Sequence, residues 1–412
     1  MKNQRLFIAL SFSSLILISN SCKKSNEPDL PKDPVQIPLT AEQTALVSSQ
    51  NNFALDLFRN VLASSGEAGN IIISPFSVST ALSMTMNGAA GPTRDSMLYA
   101  LRMSGMTPEN VNNSYKDLSY ALLNTDPRVK LSIANSVWPE KDFSVKESFT
   151  DILRSSYDAE VKSFDGADPL AYVAVNNWIE DKTNGLIKKM LLGLDDNTVM
   201  LLINAIYFKG KWKHQFDADH TAPRAFYKSG GSTVQVPMMK QYNAFSLYQG
   251  EGFTLAEFPY GQGNFAMDVL LPQSPETISG LASALTPDKL STWLGQMHAQ
   301  KITLYMPRFK FGYKLEMNDV LSDMGMGLAF NDNADFSNIA DASLKISKVL
   351  HQAFIQNDEE GTTAAAATVV VIGITSTIPT ELKLDHPFIY IIRETSTNAI
   401  LFMGIVADPG SN

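Results

Sequence analysis

The residues able to do chemistry in this chain are few, and their spacing argues against most of what they could do. Five histidines, His214, His220, His298, His351 and His386, fall at no metal-ligand interval, and neither HExxH nor CxxC occurs. The cluster Asp332, Asn333 and Asp335 lacks the remaining ligands of a calcium loop and reads as a turn. Cys22 is the one cysteine, so no disulfide can form within the chain. His351 is the candidate general base, but no G-x-S-x-G elbow supplies a serine nucleophile. A hydrolase built on Ser and His is therefore the weakest functional class, and neither a metal nor a cofactor is expected.

A different chemistry is written in residues 361–380, GTTAAAATVVVIGITSTIPT. The segment carries no charge, opens with small residues, continues through Val369, Val370, Val371 and Ile372, and delays its one proline to Pro379. It could pair as a strand inside a sheet without steric, charge or proline penalties. Left exposed, it is an aggregation hazard. It follows the acidic run Asp358, Glu359 and Glu360.

The elements that must hold such a segment alternate without a βαβ rhythm. Thr40 caps a helix, with Gln43 at capping-box spacing. Ser74-Pro75 starts a second helix, apolar on most faces and so expected to be buried. Residues 199–208, interrupted only by Asn204, read as a strand covered on both faces. Ile302, Leu304 and Met306 alternate as a strand does. Residues 344–355 and 388–392 are further strands, and 398–406 is a hairpin partner. Long helices with many mixed strands give an α+β class.

The 412 residues carry a net charge of −9, with 44% hydrophobic and 18% charged residues. That is an ordinary globular core, and the acidic balance excludes nucleic acid as a partner. Residues 1–22 combine Lys2 and Arg5 with an apolar stretch, as a secretory signal does. Ser21 before Cys22 resembles a lipoprotein cleavage box, so Cys22 is the expected lipidation site and a membrane partner through that anchor is implied. Residues 23–39, with Pro28, Pro31, Pro34 and Pro38, form a tether, and residues 40–412 a single domain. The location expected is the cell envelope, or the exterior if the cysteine stays unmodified.

The blocks NIIISPFSVSTALSMTMNGAAGPTRDSM (70–97), INAIYFKGKW (203–212), VPMMKQ (236–241), DEEGTTAAAA (358–367) and DHPFIYIIRETSTNAILFMGIVADP (385–409) occur in the order found in serpins, and the chain resembles that family across nearly all of its mature length. The resemblance implies three β-sheets, about nine helices, an exposed reactive loop and a monomer. It implies a suicide inhibitor of serine proteases, not an enzyme. The protease cleaves the loop, which then inserts into the main sheet carrying the protease with it. Glu359, Glu360, Gly361, Thr362, Thr363, Ala364, Ala365, Ala366 and Ala367 match the inhibitory hinge. Ser74, Ser77, Asn204 and His351 resemble the shutter, where the sheet opens. Trp212 belongs to the breach above it, where Glu359 is expected to pair with Arg308.

Counting fifteen residues from Gly361 makes Thr375–Ser376 the reactive bond; counting back from His386 makes it Ser376–Thr377. Ile372, Ile374 and Thr377 are the neighbouring specificity positions. Small, uncharged Thr375 suits an elastase-like or subtilisin-like pocket. Papain-like cysteine proteases, which read the apolar residue before the cut, are an alternative target class. A non-inhibitory serpin acting as a binding module is the alternative function.

Overall fold

Thr40 and Gln43 cap the first helix reciprocally. The Thr40 hydroxyl accepts from the Gln43 backbone N–H at 3.2 Å, and the Gln43 side-chain oxygen accepts from the Thr40 N–H at 2.9 Å. The chain is described here from a computed structural model, over residues 33–65, 69–195, 197–361 and 380–411. Its helices are α1 (Ala41–Ser65), α2 (Pro75–Met86), α3 (Gly91–Ala100), α4 (Pro108–Asn124), α5 (Glu147–Tyr157), α6 (Ala171–Lys182), α7 (Ile278–Ala284), α8 (Pro287–Gly295) and α9 (Asn318–Leu321). Ser74 caps α2 by accepting from the Ser77 N–H, and Pro75 occupies the first turn, where no N–H is needed. All of α2 except Ala81 is buried, as its apolar faces require.

The strands are β1 (Ile71–Ile73), β2 (Val129–Pro139), β3 (Glu160–Val161), β4 (Met200–Gly210), β5 (Ala222–Tyr227), β6 (Thr233–Gly250), β7 (Phe253–Tyr260), β8 (Phe265–Pro272), β9 (His298–Pro307), β10 (Phe309–Glu316), β11 (Leu350–Asn357), β12 (Thr380–Lys383), β13 (Phe388–Glu394) and β14 (Ile400–Val406). They form three sheets. The largest runs β1-β14-β13-β8-β7-β6-β9-β12, with β5 also on β6. Every residue of β8, β13 and β14 is buried, and the strands are apolar apart from Asp268, Arg393 and Glu394. The other two sheets are β3-β2-β4 and β10-β11.

Strand β4 pairs antiparallel with β2 along its whole length, from Met200↔Pro139 to Gly210↔Val129. Both faces are covered. Ile203 and Ala205 pack with Val175 and Ile179 of α6 on one side, and Leu202 and Ile206 pack toward the main core on the other. Yet Leu201, Leu202 and Ile206 are only half-buried, because the edge of β4 away from β2 has no strand beside it among the described residues.

One strand is shorter than the sequence suggests. Residues 344–349 were expected to belong to the strand, which begins only at Leu350. Its partner β10 ends at Glu316, opposite Leu350. The Met317 N–H then bonds to the Val349 carbonyl and the chain turns into α9, so the earlier residues have no ladder to join.

Candidate functional site

The two smaller sheets face one another across a seam between β4 and β11. A cavity of about 790 Å³ opens along its lower half, lined by Met200, Leu202 and Asn204 from β4 and by Leu350, His351 and Gln352 from β11. Ile206 and Phe208 face Phe354 and Ile355 across a smaller void higher up. The seam is closed at two places, its floor and its top.

At the floor, the N-terminus of α2 is the junction. The Ser74 N–H donates to His351 Nε2 at 3.0 Å, and the Ser74 hydroxyl donates to the Leu401 carbonyl at 2.7 Å. The Ser77 hydroxyl donates to Asn204 Oδ1. Asn204 Nδ2 donates to Asn135 Oδ1 at 2.6 Å, and Asn135 Nδ2 to the Tyr157 carbonyl at 2.6 Å. A backbone N–H can only donate, so His351 Nε2 is an acceptor and the ring is neutral. Burial pushes the imidazole down to about 4, which agrees with that assignment. The chain thus ties β11, α2, β4 and β2 through polar groups that would each be costly to leave unpaired.

At the top, the chain reverses after β11. Asp358 and Gly361 exchange backbone hydrogen bonds of 3.0 and 3.2 Å, and Gly361 is bridged antiparallel to Lys211, just beyond β4. Gly361 has φ +132°, and a Cβ there would lie 2.2 Å from the Gly210 carbonyl oxygen. Only glycine fits on both counts. The Glu360 carbonyl accepts from the Trp212 N–H at 2.7 Å, the Glu359 carbonyl from the Phe216 N–H at 2.9 Å, and the Asp358 carbonyl from the Trp212 indole at 3.1 Å. Trp212 stacks on Tyr260 at 4.3 Å. Arg308 Nε reaches both Glu359 oxygens at 2.7 Å, and the Thr221 hydroxyl donates to the same carboxylate. Burial alone would raise the Glu359 carboxyl, but Arg308 and Thr221 outweigh it and hold it below the usual range.

Ser74, Ser77, Asn204 and His351 therefore meet in one cluster, and Glu359, Glu360, Gly361, Trp212 and Arg308 meet in another. Cys22, Thr362, Thr363, Ala364, Ala365, Ala366, Ala367, Ile372, Ile374, Thr375, Ser376 and Thr377 lie outside the described residues. Asn135, Thr221 and Tyr260 were not anticipated. Asn135 stands opposite Asn204 in the β2–β4 register, a pairing across 69 positions that no local motif announces.

This arrangement has counterparts. The family described as Serpin (serine protease inhibitor) matches residues 48–409. Iripin-2 of Ixodes ricinus is 35% identical over 377 residues, covering 89% of this chain and 94% of the relative. Among solved structures, the native state of the thermophilic serpin tengpin superposes with a TM-score of 0.82 at 31% identity, covering 91% of this chain and 96% of that one. Human thyroxine-binding globulin complexed with its ligand gives 0.83 at 27%, covering 90% and 100%. The chain belongs to the serpin family. Serpins are typically protease inhibitors, and among them some, such as thyroxine-binding globulin, are not.

Proposed function

We propose that this chain is a suicide-substrate inhibitor of serine proteases, cleaved at Thr375–Ser376 and trapping the protease as an ester. The protease serine oxygen adds to the Thr375 carbonyl. The Thr375–Ser376 amide breaks, Ser376 leaves as the amine with the proton, and the acyl ester remains. The freed segment after Gly361 then enters the seam, carrying the esterified protease before water can release it.

The observation that supports this is that β4 and β11 border a common cavity and share no ladder among the described residues, with Gly361 at the top of the seam bridged to Lys211. A strand entering there would run antiparallel to both neighbours and add to both open edges. Thr362 and the four alanines after Thr363 bring little volume and no charge. About a dozen residues paired on both sides, at roughly 1 kcal/mol net per hydrogen bond, would gain on the order of 10 kcal/mol. That rivals the stability of a typical domain, so the uncleaved form would be held kinetically. An inserted strand of about 15 residues spans roughly 50 Å, enough to carry a protease from one pole to the other. The clusters at floor and top would act as shutter and breach: Ser74, Ser77, Asn204 and His351 hold the lower seam shut, and Glu359 with Arg308 and Trp212 seat the hinge.

Thr375 is small and neutral. It suits elastase-like or subtilisin-like pockets and cannot satisfy the buried carboxylate of a trypsin-like one. Residues 1–22 would direct export, Cys22 would carry the lipid and residues 23–39 would tether the domain to the envelope. No helix among the described residues is long and apolar enough to cross a membrane.

The test is to mix the soluble domain with an elastase-like and a subtilisin-like serine protease and separate the products on denaturing gels. An SDS-stable complex is expected, and Thr362→Arg should convert it to cleaved inhibitor plus active protease. Cleavage without any trapped protease would overturn the inhibitory reading and leave a non-inhibitory binding module.

A further inference from the structure

On the outward face of the large sheet, three cations converge on one ring. The Arg224 guanidinium lies 4.6 Å from the centre of Tyr305, Lys240 Nζ 5.6 Å and Lys383 Nζ 5.8 Å. The sheet register accounts for this. Lys240 of β6 and Lys383 of β12 stand directly opposite Tyr305 of β9 from its two sides, and Arg224 of β5 reaches in from the next strand. Tyr305 is 5% exposed beneath them, while all three cations are exposed. Glu381 borders the patch: it pairs with Lys383 at 2.6 Å, accepts from the Tyr305 hydroxyl at 3.3 Å and is also acted on by Lys240, while Asp385 acts on Lys383 as well. Among the described residues, neither Arg224 nor Lys240 has an ion-pair partner.

This is an inversion of local charge in a chain of net charge −9. Like charges gathered on a sheet face repel one another. The ring fixes three long side chains that would otherwise be free, so less rotamer freedom is lost when an anion meets them. The patch also lies where a visitor must come. Strand β12 is the outer edge of this sheet, and it begins at Thr380, five residues after Thr375. Five residues reach at most about 18 Å. A protease domain is roughly 40 Å across, so one seated on that bond overlies the end of β12.

We propose that Arg224, Lys240 and Lys383, held on Tyr305, form a docking surface for the acidic rim of the attacking protease, selecting among enzymes that accept the same small residue at the cut. This rests on the reading of residues near Thr375 as the attacked bond, but not on the trapping step. The surface acts on encounter, through steering, and not on the chemistry that follows.

The test is the second-order rate of loop cleavage, counting trapped and released product together. The probes are two subtilisin-like proteases, one of acidic and one of basic net charge, at about 20 mM and about 300 mM salt. The variant Arg224→Glu/Lys240→Glu/Lys383→Glu should slow the acidic protease by roughly 10- to 100-fold at low salt, with the gap closing at high salt. It should leave the basic protease unchanged or faster. Arg224→Gln/Lys240→Gln, which keeps the Lys383–Glu381 pair, should give a smaller loss of the same sign and guards against misfolding. Loss of trapping with the salt effect intact would count against the inhibitor and not against the surface. Equal rates for all variants with both proteases at low salt would overturn the surface.

Discussion

The large sheet and the two small ones end differently. In the first, β14, β13, β8 and β7 are each paired on both edges, and β8, β13 and β14 expose nothing. In the second, β2 and β4 pair over eleven positions and β10 and β11 over eight, but β4 and β11 share no ladder among the described residues. The inner strands of the large sheet have partners on both edges for their backbone groups. In the split one the facing edges of β4 and β11 have no strand partner among the described residues and border a cavity, the kind of edge that proteins ordinarily cover. If the proposed insertion takes place, the difference locates where the fold gains by it: along β4 and β11, and not in the large sheet.

The ion pairs of the two regions sharpen the contrast. Arg393 in β13 donates to Asp268 of β8 at 2.6 Å and to Glu257 of β7, and Asp268 is fully buried. Arg393→Ala would strand that carboxylate and should cost about 3–5 kcal/mol. Denaturant unfolding measures it, and a cost under about 1 kcal/mol would mean the closed sheet does not depend on this network.

Next in size is the pH response of the split sheet. His351 has its folded-state value depressed to about 4 by burial, against about 6.5 when unfolded. Its contribution is therefore fully present above pH 6.5 and is lost as pH falls from there through about 4. The loss should be about 3 kcal/mol, because the imidazolium can no longer accept from Ser74. His351→Gln should remove that slope between pH 6.5 and 4. If wild type and variant fall in parallel, the floor of the seam is not held by the neutral ring.

Smallest is Arg308→Ala at the top of the seam. Arg308 is partly exposed, and Glu359 keeps its bond from Thr221. The expected cost is about 1–2 kcal/mol, read from the same denaturant curves. A loss as large as that of Arg393→Ala would erase the distinction between the two regions.

Much of this was legible in the chain because local chemistry announces it. Ser74-Pro75 marks a helix start and Gly361 a hinge in the backbone, whereas the pairing of Glu359 with Arg308 came with the family resemblance and not from a local motif. What was hidden depends on register. Asn135 and Asn204 meet because β2 and β4 pair over eleven residues, and Tyr305 gathers its cations only because β5, β6, β9 and β12 align. Residues 344–349 carry strand-forming Ile346 and Val349 but lack a partner strand. Strand-forming residues do not say whether a neighbour exists.

The most direct measurement is hydrogen exchange before and after a single mapped cut within the loop, with β8 and β13 as the internal reference. Insertion predicts that the seam-facing amides of β4 and β11 gain about 100-fold or more in protection. The melting midpoint should rise sharply, while β8 and β13 stay as they were. A mapped cut that leaves both the seam amides and the midpoint unchanged would contradict the account.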